Sequence, residues 1–226
     1  TDHVTNIMNR IMGNTKHPLS DAYAKSFNSA INNTQTMNNA LETAPELVTT
    51  FSNSSVSQQL AAVAKAISVQ STLATQRQVF FVSMGGFDTH DNQLETHPLL
   101  LNSLAQSLSE FNSAMQELNM ADKVTTFTMS DFGRTLTSNG DGTDHGWAGN
   151  QLVMGGAVKG GDIYGEFLTQ HLDGPQDVGS GRLIPSVANE QYFASLAQWF
   201  GVSSSELSDI FPNLTNFDRT TLDFFM

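Results

Sequence analysis

Asp88-Thr89-His90, Asp131 and Asp144-His145 set carboxylates and imidazoles into glycine-flanked stretches of the chain. Gly85-Gly86-Phe87 precedes the first, Phe132-Gly133-Arg134-Thr135 follows the second, and Asn139-Gly140-Asp141-Gly142-Thr143 leads into the third. Imidazole nitrogen combined with carboxylate oxygen suits a borderline-hard divalent ion, zinc or manganese. Asn139 to Asp144 also offers oxygen donors at alternate positions, as calcium loops do. The downstream bidentate Glu of an EF-hand is missing, so calcium ranks below the other two. Arg134 is one of only ten basic residues. Its planar fork could neutralise Asp131 or hold an anionic substrate, and substrate contact is the favoured role.

A competing account treats these as ordinary turn residues. Asp and Asn after a strand commonly cap the next helix or form Asx turns, and glycine there permits positive φ. Capping does not require histidine, however, and does not bring three such loops to one side. His3, His17 and His97 are assigned to helix starts or surface, and Lys159 to solvent.

The elements that must position these loops follow from periodicity. Val4, Ile7, Met8 and Ile11 mark a first helix, and Tyr23, Phe27, Ile31 and Thr34 a second. Val56, Leu60, Val63, Ile67 and Ala74 predict a third, ending near Thr75. Val79-Phe80-Phe81-Val82 is a short apolar run stopped by Gly85-Gly86, the pattern of a strand buried on both faces. Leu101, Leu104, Leu108, Phe111, Met115 and Leu118 give a regular helical stripe after Pro98. Val124 to Met129 reads as a second strand, so strand, helix and strand form a crossover unit with parallel strands. Leu152 to Met154 is a third strand running into the glycine-rich stretch 155–165. Tyr192, Phe193, Leu196 and Phe200 lie on a helix closed by Gly201, and Ser203-x-x-Glu206 is a capping box.

The expected fold is thus α/β, a mostly parallel sheet flanked by helices, in one domain over residues 1–226. Residues 1–55 form a helical layer and 56–226 the sheet-containing core. In parallel sheets, sites lie at the carboxyl ends of strands, which would place Asp88, His90 and Asp131 on one rim with Asp144 and His145.

Composition limits the partners. Ten basic against 22 acidic residues give a net charge of −12, which repels nucleic-acid phosphates and anionic lipid heads. No apolar stretch approaches the roughly 20 residues of a spanning helix. The absence of cysteine excludes disulfides, thiolate-bound zinc and thiol catalysis.

Gly86-Phe87-Asp88-Thr89-His90, Ser130-Asp131-Phe132-Gly133-Arg134-Thr135, Gly142-Thr143-Asp144-His145-Gly146 and Gly155-Gly156-x-Val158-Lys159-Gly160-Gly161 occur in that order. Together they resemble family 1501 of the domains of unknown function, exported bacterial proteins grouped with the alkaline phosphatase and sulfatase superfamily. The resemblance extends from about Leu60 to the closing Phe211-Pro212-Asn213. It implies an alkaline-phosphatase-like fold, of which this chain is the C-terminal portion, and metal ions that bind a phosphate or sulfate ester. It further implies that Asp88, His90 and His145, with neighbouring Asp144, serve one metal, that Asp131 serves a second, and that Arg134 steadies the anion. The nucleophile would come from an upstream segment of the same precursor, which carries an export leader commonly of twin-arginine type. The resemblance thus implies export to the periplasm or cell surface.

Two functions follow as expectations. One is a metal-dependent hydrolase of small anionic esters. The other is a non-catalytic exported binding or assembly protein that keeps a degenerate form of the same core. Phe132 favours the second, because it stands where related phosphatases carry a metal-binding His.

Overall fold

The computed structural model describes residue 6 and residues 18–226. The first expected helix, with His3 and His17, lies outside the described residues. Five α-helices, two short 3-10 helices (Ala121–Lys123 and Pro212–Asn216) and two short antiparallel strand pairs make up the regular structure among the described residues.

The chain divides into two compact units. One takes the described residues up to Leu47 together with Ala61–Phe80. It contains helix α1 (Pro18–Leu41) and most of α2 (Ser55–Ser68). Burial there falls on Ala24 and Ala40 of α1 and on Ala64, Ile67 and Val69. The Tyr23 and Phe27 rings stack one turn apart at 6.4 Å, the i,i+4 neighbour relation that the periodicity predicts. α2 ends at Ser68, earlier than Thr75. Val69 to Ala74 instead closes in tight turns, with Leu73 N donating to Val69 O at 3.1 Å and Ala74 at φ 51°.

The second unit is Val48–Leu60 with Phe81–Met226. Its long helix α3 (Gln93–Glu117) starts five residues ahead of Pro98. Phe111, Ala114 and Met115 are buried, whereas Leu94 and Leu99 face solvent. Two glutamates of α3 hold the segment that enters the unit. The Glu110 carboxylate accepts hydrogen bonds from Ser57 Oγ and from Ser52 N at 3.1 Å. Glu117 accepts from Val48 N at 2.6 Å and Thr49 N at 2.9 Å. Ser54 Oγ caps the start of α2 by accepting from Ser57 N at 3.2 Å.

The parallel sheet is corrected by the strand pairing. β1 (Thr126–Phe127) pairs antiparallel with β4 (Val153–Met154), and β2 (Gly133–Ser138) pairs antiparallel with β3 (Thr143–Gly146). Val79 to Val82 is extended but joins no sheet, with Val79 79% and Phe81 80% exposed. The physical reason is that an apolar β-branched run favours extended backbone, but a strand exists only when its N–H and C=O groups meet a partner. Among the described residues none is supplied, so the crossover unit and the alkaline-phosphatase-like parallel sheet do not form here.

At the C-terminal end the glycine stop matches its predicted signal, whereas the predicted capping box does not cap the last α-helix, whose N-cap is Glu206 without a side-chain cap bond. α4 (Asn189–Phe200) ends at Gly201, whose φ of 113° and bonds to Ala197 O and Gln198 O make a left-handed cap. Ser203 N donates to Glu206 Oε2 at 3.2 Å ahead of the one-turn helix α5 (Leu207–Ile210). α4 lies on the β1–β4 pair: Tyr192, Leu196 and Phe224 form a core with Val153, Phe193 and Phe225. The Tyr192 hydroxyl donates to Thr128 O at 3.1 Å, and burial pushes its pKa up, away from ionisation. Among the described residues no helix is long and apolar enough to cross a membrane.

Candidate metal centre

The site is built by a loop and a hairpin. Asn139-Gly140 lies in the tight turn between β2 and β3, with Asn139 N donating to Gly142 O at 3.1 Å and Gly140 at φ 125°. The ladder pairs Arg134 with His145 and Ser138 with Thr143, leaving residues 135–137 as a bulge. Thr135 Oγ1 accepts from Asp144 N at 3.1 Å where the regular ladder is lost. Such bulges re-aim side chains, and this one sets Asp144 and His145 toward the loop of residues 87–91.

Two contacts hold hairpin and loop together. The Asp141 carboxylate accepts from Asn92 N at 3.0 Å at the start of α3, and Gln93 N donates to Asp141 O at 3.1 Å. Gly142 passes against the loop so closely that a β-carbon there would stand 2.5 Å from Thr89 O. Only glycine permits that approach.

The result brings together Asp88, His90 and His145. His145 Nε2 lies 2.7 Å from Asp88 Oδ1, His90 Nε2 lies 3.0 Å from the same oxygen, and the two Nε2 atoms are 3.3 Å apart. His90 Nδ1 faces Asp144 Oδ1 at 3.3 Å. A proton on Nδ1 donated to that carboxylate leaves the Nε2 lone pair facing the cluster, the orientation that metal-ligating histidines take. Asn139 Nδ2 in turn donates to Asp144 Oδ1 at 3.2 Å. The Phe132 ring stacks on His145, centroids 3.8 Å apart and planes 5° from parallel.

A tetrahedral ion with ligand bonds of about 2.0–2.2 Å sets donor separations of about 3.3–3.6 Å. The two Nε2 atoms already have that spacing, while Asp88 Oδ1, at hydrogen-bond distance from both, would move outward by about half an ångström to admit an ion. The three side chains are all about half exposed, so a ligand would reach the cluster directly from solvent. The His145 bond, followed by the nearby His90 and Arg134 charges, outweighs desolvation and holds the Asp88 carboxyl below its ordinary range. It is therefore ionised, as a metal ligand must be.

The other expected residues are placed differently. Asp144 is at the site but bonds His90 rather than standing among the three converging donors. Asp131 is exposed, makes no hydrogen bond or ion pair with another described residue, and is outside the cluster. Arg134 donates to Thr143 O at 2.8 Å and to Phe87 O at 2.5 Å, lies 3.4 Å from Asp88, and sits 5.1 Å over the Phe132 ring. With only 16% of its side chain exposed, it ties the hairpin to the loop. The oxygens of Asn139 and Asp141 engage Gly142 N and Asn92 N, which are turn and helix-start contacts. Lys159 pairs with Asp223 at 2.8 Å.

Three contributors carried no signal in their residue type: Phe132 as a stacking partner, Gly142 as a close-approach position, and Thr89. Thr89 is nearly buried and its hydroxyl bonds His97 Nε2 at 3.0 Å.

The second unit, whose Asp/His/His cluster is shared between the loop and the hairpin, thus carries all four motifs in order. The model of a protein family of unknown function, DUF1501, matches residues 2–184, and the chain belongs to that family. No curated protein and no solved structure matches the chain.

Proposed function

We propose that the second unit carries a metal centre, zinc or manganese, for hydrolysis of phosphate or sulfate esters. The observation that carries this reading is the convergence of Asp88 Oδ1, His90 Nε2 and His145 Nε2 within 3.3 Å of one another. When bound, such an ion supplies Lewis-acid polarisation of an ester oxygen and lowers the pKa of an attacking hydroxyl. Asp88 contributes the negative charge of the ligand set. Asp144 fixes the His90 ring, Phe132 the His145 ring. Arg134 keeps the loop against the hairpin and places a positive charge beside Asp88.

The family resemblance to the alkaline phosphatase and sulfatase superfamily supports the choice of esters. On that resemblance the nucleophile belongs to an upstream segment of the same precursor, and the protein is exported to the periplasm or cell surface. The net charge of −12 argues against nucleic acid as substrate.

A second reading, a non-catalytic exported binding or assembly protein with or without one structural metal, is favoured by the surroundings of the cluster. Asp131 stands apart from the cluster and Phe132 is stacked on His145, so a second ion has no ligand set at the expected place.

Metal analysis and ester hydrolysis decide between them. The chain is loaded with zinc or manganese, desalted and analysed for metal, then assayed on aryl phosphates and aryl sulfates with and without the upstream segment. The hydrolase reading expects about one ion per chain, loss of that ion in His145→Ala, and turnover that requires both the ion and the upstream segment. Full occupancy without turnover across the panel establishes the second reading. No bound metal overturns the hydrolase reading.

A further inference from the structure

We infer that His97 is a positioning residue that holds the Asp88–His90 loop in the shape in which its donors meet His145. The inference rests on the metal-centre reading for its purpose, but its physical content concerns the loop. His97 lies in the second turn of α3, away from the three donors, and it touches both neighbours of Asp88. Its Nε2 bonds Thr89 Oγ1 at 3.0 Å, and its ring meets the Phe87 ring edge-on with centroids 6.0 Å apart.

The loop needs such a clamp because it has little else of its own. Residues 84–91 belong to no helix or strand, and the one backbone hydrogen bond within them is Thr89 N to Phe87 O at 2.9 Å. Gly86, at φ 98°, adds freedom at the entry. Thr89 is 5% exposed while Asp88 and His90 on either side face solvent. The loop is thus anchored by its middle residue, with the two donors projecting from that anchor. A hydroxyl at 5% exposure without its partner is costly to leave buried, so loss of His97 favours rotation of Thr89 outward. That motion turns Asp88 and His90 with it. Arg134, bonded to Phe87 O, restrains the entry side and the Asn92 N bond to Asp141 the exit, which leaves the Thr89–His97 bond to fix the side chains between them.

The test separates loop from metal. In the metal-free protein, amide hydrogen exchange at residues 87–91 is compared among wild type, His97→Ala, His97→Gln and Thr89→Val. Zinc affinity is then measured for the same four by competition with a chromophoric chelator. The inference expects His97→Ala to speed exchange of the Thr89 amide, the hydrogen-bonded one in the loop, by about tenfold or more, with exchange in α4 unchanged. It expects zinc to bind about tenfold more weakly, in the range of outer-shell losses. Gln offers both a donor and an acceptor at similar reach, so His97→Gln restores most of both. Thr89→Val reproduces the loss, and the double variant Thr89→Val/His97→Ala is no worse than either single one. Unchanged exchange of the Thr89 amide in His97→Ala overturns the inference, even with zinc bound tightly by wild type. Faster exchange in a protein whose wild type binds no zinc upholds the clamp and removes the metal reading instead.

Discussion

Removing the Asp144 carboxylate tests whether the cluster is a ligand set or a chance meeting of exposed side chains. Asp144 touches none of the other donors except His90, through Nδ1 at 3.3 Å. A carboxylate behind a ligating histidine is worth about 10–100-fold in metal affinity. The contact is long for an N–H···O bond, and the Asp144 side chain is 66% exposed, so the effect belongs at the lower end of that range. Asp144→Ala is expected to weaken zinc about tenfold. Asp144→Asn keeps an acceptor for the Nδ1 proton and loses only charge, so it should fall between wild type and Ala. His145→Ala removes a ligand outright and should exceed the outer-shell range, more than about 100-fold. The assay is competition against a chromophoric chelator at fixed pH, with unfolding midpoints recorded for each variant. If Asp144→Ala binds zinc like wild type, or as poorly as His145→Ala, its assignment as the group that orients His90 is refuted.

Three other consequences can be measured. Gly142→Ala places a methyl group against the backbone of Thr89 and His90, so it should abolish zinc binding and lower the unfolding midpoint; retention of zinc affinity would contradict the close approach. Glu110 and Glu117 both titrate below their ordinary value of 4.5. For Glu110 desolvation works upward but is outweighed by Ser57, Ser52 and Gln106, and for Glu117 the Thr49 hydroxyl leads, followed by the Val48 and Thr49 amides. A lowered folded pKa means these groups stabilise the fold fully above the unfolded value and lose that contribution as pH falls through the folded values. Chemical denaturation below about pH 4.5 should therefore show a steep loss, shallower in Glu110→Gln/Glu117→Gln, and equal slopes would contradict the sign. Phe81→Ser removes an 80% exposed ring from an unpaired extended segment; it should reduce self-association in sedimentation while changing stability by no more than about 0.5 kcal/mol, and a large destabilisation would show that Phe81 is packed.

The donors were legible because their types are chemically restrictive. Asp88, His90 and His145 stand out in a chain with six histidines, and all three converge. The route to convergence was not legible. Val79 to Val82 has the composition of a central strand, but pairing is a property of two segments, and no apolar run reports whether its partner is there. Thr135-Leu136-Thr137 and Thr143 to Gly146 looked like loop residues around a metal motif, although Asn139-Gly140 is itself a strong hairpin signal. The bulge at residues 135–137, which aims His145, depends on one hydroxyl, that of Thr135. Asp131 is grouped with the others by the expected parallel strands and by the family resemblance, and it stands apart because Val79 to Val82 and the Val124 to Met129 segment do not pair with each other. Helix ends were predictable where a single residue sets them, as Gly201 does, and not where Pro98 falls inside a helix that has already begun.

X-ray absorption at the zinc edge on the loaded chain addresses the metal centre most directly. The account predicts a first shell of nitrogen and oxygen at about 2.0–2.2 Å, with the multiple scattering of two imidazoles, falling to one in His145→Ala. A shell of oxygen alone, or two imidazoles that persist in His145→Ala, would contradict it.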